Sequence, residues 1–564
     1  MVVLAEPVPA IAAVANGPLS RLARAQYAAL ASMRWSMFRN SIRTTRGALE
    51  LGARTVTTVL FSLMGLGIAF GLGAGTYEIA RNGEWKFLPI LFWVVFVLWQ
   101  VVPVTVASFQ QQFDMGGLLR FPVSFAAFFV LHLLFGLIDA STIVGVLCCA
   151  GLWVGATLAR PEMFAWTALA LVAFALFNIL LVRAVFAWIE RWLAQRRTRE
   201  IVMAIFFLLM LGAQLFNPGL RENPDKPEFS ARTRAVTMRA LGAANAVQRW
   251  LPPGLAAQMV QAGEAGRQGE ALAALGVLGL FAAGTGATLA ARLRAEYRGE
   301  SLGDAPARAK VERRRGAWLI DGSGPIAAVL EKELRTLMRA MPLLYSIGAP
   351  LVMVFFLAGM NRHRGPSPGH LPLGLLLCLA YAIVGFTQLI YNNLGGEGPG
   401  IQILFLSPTP IRTVMLAKNL FHAMLVTVDA VLVCILACLR FGTPAPDAIA
   451  ASAAWVLFAL PVHLAAGNAF SLAMPYRINL GRIGRQKGSQ ANALLSMLVQ
   501  LGTLAVGAGV FAACAWAGRL WLAVPVFLVM AAGAVFAWLH MLGKVDRIAN
   551  QRRDELIATL VKAE

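Results

Sequence analysis

Charged residues are scarce in this chain. Only 14% of its 564 residues are charged, whereas 58% are hydrophobic, and an average soluble protein carries about 25% charged residues. Apolar runs of about twenty residues recur along the whole length, and each is long enough to cross a hydrocarbon core of about 30 Å. The composition therefore excludes a soluble multi-domain protein and predicts a polytopic integral membrane protein.

Acidic residues are especially few. The chain has 28 Asp and Glu against 49 Lys and Arg, which gives a net charge of +21. A basic balance can mark a nucleic-acid-binding protein, but no basic helix with interleaved aromatic residues stands apart from the apolar runs. The positive-inside rule accounts for the excess, because cations collect in cytoplasmic loops. We expect no nucleic-acid partner.

Motifs for catalysis and cofactor binding are also missing. The sequence contains neither a G-x-x-x-x-G-K-[ST] phosphate loop nor an HExxH zinc motif. The six cysteines lie inside apolar runs without CxxC or Cys/His spacing, so they are interpreted as small packing residues. His463, in an apolar run, is interpreted as a buried, hydrogen-bonded histidine. The chain is not expected to be an enzyme or to bind a metal or cofactor; if ATP powers it, ATP and Mg²⁺ bind another chain.

The long apolar runs predict an all-α fold of about twelve transmembrane helices, because backbone groups in lipid must pair within a helix. The first set lies near residues 55–74, 87–109, 125–157, 163–189, 201–216 and 271–291; the second lies near residues 342–360, 371–391, 413–439, 448–474, 492–517 and 520–542. Residues 125–157 are too long for one simple span and are either a tilted or broken helix or two short helices. The run at 201–216 is short for a full crossing.

Basic clusters set the predicted orientation. They lie before the first span and in alternate loops: Arg34, Arg39, Arg43, Arg46 and Arg54; Arg196, Arg197 and Arg199; Arg313, Arg314 and Arg315; Arg477, Arg482, Arg485 and Lys487. With these clusters inside and an even number of spans, both termini are cytoplasmic. We therefore expect a multi-pass protein of the cell inner (cytoplasmic) membrane.

The two sets of six spans resemble copies of one unit. Three residue pairs recur at the same interval inside the third spans: His132 and His422, Asp139 and Asp429, and Cys148 and Cys438. Internal duplication is common in transporters. The predicted organisation is a cytoplasmic tail with an elbow helix (1–54), a first half (55–291, with an external loop at 217–270), a cytoplasmic linker (292–325), a second elbow helix (326–341), a second half (342–543) and a cytoplasmic tail (544–564).

A polar, glycine-rich segment lies between two apolar helices of the second half. It runs from Asn392-Asn393-Leu394-Gly395-Gly396-Glu397-Gly398 through Leu406-Ser407-Pro408 to Arg412 and Lys418-Asn419, and the basic segment Leu330-Glu331-Lys332-Glu333-Leu334-Arg335 with Arg339 precedes the same half. Together these motifs, about ninety residues long, resemble a half of an ABC-2 type transporter permease. The fold that this implies is two six-helix ABC-2-like halves fused in tandem.

The resemblance implies a function and roles for particular residues. The chain would be the membrane permease of an ATP-driven exporter, with two copies of a separate ABC ATPase subunit docked beneath it and an unidentified exported substrate. Glu397 would sit at the ATPase contact, and Gly395, Gly396 and Gly398 would permit a tight turn. Ser407 and Pro408 would complete the segment, with Arg412 and Lys418 at the inner lipid or ATPase boundary. Lys332, Glu333, Arg335 and Arg339 would belong to the elbow helix.

The first half matches the same pattern loosely. Its equivalent segment contains Asp114, Gly116 and Gly117 but no glutamate at the turn, so the first copy would engage its ATPase more weakly or through Asp114. Each segment also has a simpler reading as an ordinary glycine-proline turn between helices. The elbow helices, likewise, have the properties of amphipathic anchors at the lipid surface.

Two ionisable pairs lie inside the third spans. Asp139 follows His132, and Asp429 follows His422, by seven residues, which places each pair on one face of a helix. Carboxylates inside a membrane are costly and often line a pathway. These residues are either structural or in contact with a substrate or proton. The alternative function is therefore a proton-coupled secondary transporter with twelve spans.

Overall fold

The computed structural model describes residues 21–42, 45–105, 123–137, 140–194, 247–298, 324–339, 350–351, 354, 373–441, 445–478 and 488–561. Within these ranges all regular structure is helical, without a strand. Eight of the described helices are long and apolar enough to cross a membrane: Gly47–Arg81, Thr142–Ala159, Pro161–Ile189, Gln268–Tyr297, Ile411–Leu439, Pro446–Ala473, Gln490–Trp516 and Leu520–Gln551. The prediction of a multi-pass helical membrane protein is confirmed.

Several predicted spans have particular outcomes. Within 125–157, the described residues form helices at Phe125–Leu137 and Ala140–Ala159, and residues 138–139 between them lie outside the described residues. Shorter apolar helices occupy Trp85–Gln100, Phe125–Leu134 and Leu375–Gly385. The predicted span at 201–216 and nearly all of that at 342–360 lie outside the described residues.

The chain divides into two compact units. Unit 1 comprises Met1–Arg191 with Ala240–Gly303, and unit 2 comprises Trp192–Arg239 with Asp304–Glu564. The described helices of unit 1 are α1 (Arg21–Ile42), α2 (Thr45–Arg81), α3 (Leu88–Thr105), α4 (Phe125–Leu137), α5 (Ala140–Ala159), α6 (Phe164–Ala194), α7 (Pro252–Glu264) and α8 (Gln268–Tyr297). Those of unit 2 are α9 (Pro325–Arg339), α10 (Leu373–Gly385), α11 (Thr387–Ile390), α12 (Ile401–Leu406), α13 (Ile411–Phe441), α14 (Pro446–Ala473), α15 (Gln490–Trp516), α16 (Ala523–Gln551) and α17 (Arg553–Val561).

Unit 1 is organised around a close contact of α2 with α5. A Cβ atom added to Gly151 would overlap the carbonyl oxygen of Ala69, and one added to Gly155 would overlap that of Gly73. Small residues four positions apart let the two backbones touch, as is common where apolar helices associate in lipid. The sequence spacing Gly151–Gly155 on one helix and Ala69–Gly73 on the other therefore fixes this pairing.

Part of the predicted external loop is a buried helix. Helix α7 has Pro252 in its first turn, where a missing backbone N–H costs little. Most of its residues are buried, and Gln261 Nε2 donates to the carbonyl oxygen of Trp85 at 2.7 Å. Arg160 joins the ends of three helices, since it donates to the Ala80 carbonyl oxygen at 3.0 Å and pairs with Glu264 at 3.0 Å.

Unit 2 has an aromatic and aliphatic core between its long helices. Trp455 and Phe458 of α14 lie in this core with Phe511 of α15 and Phe527 of α16. Gly467 brings α14 against the end of α11, because a Cβ atom there would overlap the Ile390 carbonyl oxygen. This core packs α11, α13 and α14 together. The polar chain that connects α11 to α13 begins at the packed end of α11.

Candidate functional site

The chain between α11 and α13, residues 391–410, is here called the glycine segment. It forms a 3-10 turn at Gly395–Gly400, then α12, then a short bend that begins with the extended Ser407 and leads into α13. Gly398 has φ +52°, in the left-handed region that favours glycine. A Cβ atom on Gly395 would overlap the Tyr476 carbonyl oxygen and the Asn392 side chain. Two of the glycines that the sequence singled out are therefore required by the backbone path.

Four charged side chains meet beside this turn and are here called the ion cluster: Lys332, Glu333, Glu397 and Lys418. Lys418 Nζ lies 2.8 Å from Glu333 Oε1 and 2.7 Å from Glu397 Oε1. Lys332 pairs with Glu397 as well, and its Nζ lies 3.3 Å from Glu333 Oε1. Two ammonium and two carboxylate groups thus neutralise one another and join α9, the glycine segment and α13.

The ion cluster is mostly enclosed, which changes its electrostatics. The side chains of Lys418, Glu333 and Glu397 are 5%, 9% and 6% exposed, whereas that of Lys332 is 49% exposed. Burial by itself raises the pKa of Glu333, but the charges of Lys418 and Lys332 outweigh it and lower the pKa to about 2. The pKa of Glu397 is also lowered, for the same opposing causes. Both carboxylates are therefore ionised at neutral pH.

Buried amides attach the glycine segment to two spans. Asn393 Nδ2 donates to Asn419 Oδ1 of α13 at 3.2 Å and to Asn468 Oδ1 of α14 at 3.1 Å. The backbone N–H of Asn393 donates to Ser471 Oγ of α14 at 2.7 Å. Each of these four residues is at most 3% exposed. A hydrogen bond in such a setting is costly to leave unmade, so the segment is held in register with both helices.

A second set of hydrogen bonds closes the other side of the turn. Asn392 Nδ2 donates to the Tyr476 carbonyl oxygen at 2.7 Å, and the backbone N–H of Ile478 donates to the Gly395 carbonyl oxygen at 3.0 Å. Asn492 Nδ2, at the start of α15, donates to the Tyr391 carbonyl oxygen at 3.0 Å. The chain after α14 and the first turn of α15 are thereby joined to the same segment.

The C-terminal part of the chain also reaches this site. Asp546 of α16 accepts the backbone N–H of Arg412 at 2.8 Å and lies 3.4 Å from its Nε. Arg552 donates to the Leu472 carbonyl oxygen at 2.6 Å and pairs with Glu555 at 2.7 Å. Because an aspartate near a helix N-terminus satisfies a free N–H and favours the helix dipole, Asp546 stabilises the start of α13.

Helix α17 packs against the glycine segment. Leu556 and Leu560, at 1% and 0% exposure, share a buried apolar cluster with Leu394, Ile401 and Met415. The sequence analysis assigned 544–564 only to a cytoplasmic tail and missed this contact. The i, i+4 spacing of Leu556 with Leu560 is typical of one apolar helix face and predicts a packed helix, but it does not show which segment the helix packs against.

Two apolar side chains of α12 are largely exposed. Ile403 and Leu406 are 71% and 76% exposed, although α12 belongs to none of the eight candidate spans. Arg412, with a side chain 61% exposed, follows on the same stretch of chain. Arg412 and Leu406 belong to the motif quoted from the sequence, but the exposure of Leu406 and Ile403 was not predicted, because it depends on how α17 and α13 cover the rest of the segment.

The predicted site residues fall into distinct environments. Glu397 and Lys418, assigned by the resemblance to a boundary or partner contact, pair with each other inside unit 2. Ser407 Oγ accepts the backbone N–H of Thr409 at 3.1 Å, and Pro408 is exposed. Arg335 of α9 pairs with the buried Glu331 at 2.6 Å. Gly396 is exposed within the turn.

Most of the corresponding residues of the first half lie in parts of the chain that the structure does not describe. Asp114, Gly116, Gly117 and Asp139 lie outside the described residues, as does the side chain of Arg339. His132 is buried on α4 of unit 1. Among the described residues, the structure brings together Glu397, Lys418, Lys332 and Glu333 of the second half.

The membrane histidines and aspartate of unit 2 differ in their partners. His463 contacts the Tyr391 hydroxyl through Nδ1, and its Nε2 lies 3.2 Å from Thr503 Oγ1. The prediction that His463 is a buried, hydrogen-bonded histidine is confirmed. His422 and Asp429 lie on α13 at 3% and 0% exposure, and His422 is one turn from Lys418.

The chain has no match among protein-family models, curated proteins or solved structures. A function for this chain is therefore inferred from the geometry of the glycine segment and of the membrane helices that it contacts.

Proposed function

We propose that this chain is the membrane-spanning permease subunit of an ABC-2 type ATP-driven exporter. It couples ATP hydrolysis by separate ATPase subunits to movement of a substrate across the membrane. One observation carries the proposal: the glycine segment is joined by a buried ion cluster to α9 and α13, and by buried amides to α13 and α14. Through these attachments a displacement of the segment would reach three helices.

The open face of α12 is the proposed contact for the ATPase. Ile403 and Leu406 present an apolar pair outside the candidate spans, flanked by the cationic Arg412. A short amphipathic helix that inserts apolar residues into a groove is a recurrent mode of recognition. In this arrangement Glu397 does not touch the partner, because its carboxylate is occupied by Lys332 and Lys418.

Movement of α12 would pass to the spans through the enclosed contacts. Separating Lys418 from its carboxylates would leave buried charges uncompensated, which costs about 3–5 kcal/mol. Displacement of the glycine segment therefore carries α13 with it, and Asn393 carries α14. ATP-driven closure of the ATPase subunits would tilt these helices, and hydrolysis followed by release would return them.

The complete architecture that we propose has twelve spans in two six-helix halves, with both termini in the cytoplasm and the protein in the inner membrane. Cationic residues near the glycine segment, among them Arg412, Arg477, Arg552 and Arg553, support a cytoplasmic position for this end of unit 2. Two ATPase copies, each with its own ATP and Mg²⁺, would bind the two halves. The first half would use Asp114, Gly116 and Gly117.

The test is recovery of an ATPase with the protein from native membranes. We expect an ATP-hydrolysing subunit to co-purify with the wild-type chain and to be lost from the Ile403→Asp/Leu406→Asp variant. Arg519→Asp, in the exposed turn between α15 and α16, is the matched control and should retain the subunit. Absence of any ATP-hydrolysing chain from the wild-type preparation, even after cross-linking in the membrane, would overturn the proposal.

The buried Asp429 favours a second candidate, a proton-coupled secondary transporter. In that case the chain alone, reconstituted in liposomes, moves its substrate when a pH gradient is imposed. The permease reading predicts no transport without the ATPase and ATP. The same liposomes, prepared with and without the partner, distinguish the two energy sources.

A further inference from the structure

Asp429 is a buried carboxyl group without a partner. It lies within the candidate span formed by α13 and is 0% exposed. No described residue hydrogen-bonds either of its carboxyl oxygens. Lys418 and Arg440 are each eleven residues away on the same helix, about 16 Å along its axis in opposite directions, and Lys418 is already paired with Glu333 and Glu397.

Among the described residues, the helices packed against α13 bring no compensating charge to Asp429. Charged residues of α9 lie at the Lys418 end, those of α16 lie in its last turns near Arg412, Asp447 begins α14, and α10 and α11 have none. The other titratable side chains on these helices and on α13 are His422, Cys434, Cys438, Cys378, Tyr381, His463 and His540. Among them, His463 is occupied by Tyr391 and Thr503.

An ionised carboxylate in this position is unfavourable. Insertion of an aspartate at the centre of a membrane helix is costly, and a buried charge without a partner is strongly destabilising. Binding of a cation would neutralise the negative charge of the carboxylate. Metal ions need several ligands, and the described residues contain no group of three His, Cys, Asp or Glu side chains placed to hold one. A proton needs only the carboxyl oxygen.

We propose that Asp429 is an intramembrane proton-binding site. The carboxyl holds its proton while the α13 face is closed to water. When that face opens, the O–H bond breaks, the proton passes to water and the carboxylate is left as an anion; closure requires recapture of a proton. Any rearrangement that wets Asp429 is therefore linked to uptake or release of one proton, whichever energy source drives transport.

His422 extends the site towards the ion cluster. It is seven residues from Asp429 on the same face of α13, about 10 Å along the axis, and its Nδ1 has no hydrogen-bond partner among the described residues. This separation is too long for a direct hydrogen bond. Water entering between the two groups would join them, so His422 is the nearest group on α13 that can accept the released proton.

The first test is infrared spectroscopy of the purified full-length protein in lipid vesicles at neutral pH. The wild type should show the carbonyl stretch of a protonated carboxyl group, and Asp429→Asn should lose that band. Asp447→Asn is the matched control, because Asp447 lies in the first turn of α14 and its Oδ1 accepts the Ala448 backbone N–H at 2.9 Å. A wild-type spectrum without the band, or one that Asp429→Asn leaves unchanged, would overturn the proposal.

The second test needs no variant and does not depend on an ATPase. Dicyclohexylcarbodiimide, an apolar reagent that adds to protonated carboxyl groups, should modify the peptide containing Asp429 in the wild-type protein. Modification should decline as the buffer pH is raised, since only the neutral acid reacts. Mass spectrometry that finds Asp429 unmodified at every pH, while other carboxyl groups react, contradicts the site.

Discussion

The ammonium group of Lys418 lies 2.7 Å from the carboxylate of Glu397, and both side chains are almost completely enclosed. The two residues belong to different elements, a spanning helix and the glycine turn before it. Their pairing converts a polar loop into a part of the helix bundle. The stability of this pairing, and its role in coupling, are open to direct measurement.

Lys418→Ala should destabilise unit 2 strongly. Its loss leaves two buried carboxylates with only Lys332 as a cation, and removal of one partner from a buried pair costs about 3–5 kcal/mol. The measurement is thermal or denaturant unfolding in detergent. Arg412→Ala removes an exposed pair with Asp546 and should change stability by less than about 1 kcal/mol. Equal effects of the two substitutions would show that the ion cluster is not enclosed.

Acid should weaken the ion cluster as the pH falls from 4.5 to about 2. The pKa of Glu333 falls from 4.5 to about 2 in the folded protein, so its contribution to stability is complete above pH 4.5. That contribution is lost as the pH falls from 4.5 through 2, because the unfolded chain takes up the proton first. In Glu333→Gln the decline of unfolding temperature over this range should be smaller than in the wild type. An identical decline would contradict the assignment.

Gly398→Ala should impair the turn that Gly400→Ala leaves intact. A side chain at positive φ costs about 1–2 kcal/mol, and Gly398 has φ +52°. Gly400 has φ −62°, and an added Cβ atom would meet its nearest neighbour at 3.8 Å. Gly398→Ala should therefore show less export and a lower unfolding temperature than Gly400→Ala. The conformational interpretation fails if Gly400→Ala is the more damaging change.

Leu560→Ala should weaken the packing of α17 against the glycine segment. Truncation of a buried leucine typically costs about 2–5 kcal/mol, and Leu560 is 0% exposed beside Ile401 and Met415. Limited proteolysis should cut the glycine segment faster in this variant. Ala558→Ser, at an exposed position of the same helix, is the control and should leave the cleavage rate unchanged.

The membrane helices were largely predictable because their signal is local. A run of apolar residues must form a helix in lipid wherever its neighbours lie, and the described spans agree with the predicted segments. The overlong run at 125–157 was also informative, since its length exceeded one crossing. The predicted count of twelve spans in two halves stays a prediction.

The partners of the polar residues were not predictable in the same way. The resemblance to ABC-2 permeases implied that Glu397 lies at the ATPase contact. Its cations come from Lys332, 65 positions earlier, and from Lys418 on the following helix, and sequence spacing does not show which distant side chains meet. The apolar cluster that contains both Leu560 and Ile401 was missed for the same reason.

The contact of α2 with α5 restricts how unit 1 can rearrange. Small residues recur there every fourth position, and the backbones touch at Ala69 with Gly151 and at Gly73 with Gly155. Sliding by one residue would drive a larger side chain into the opposite carbonyl group. The two helices therefore either travel as a single rod or jump by a whole repeat of about 6 Å, with no stable position in between.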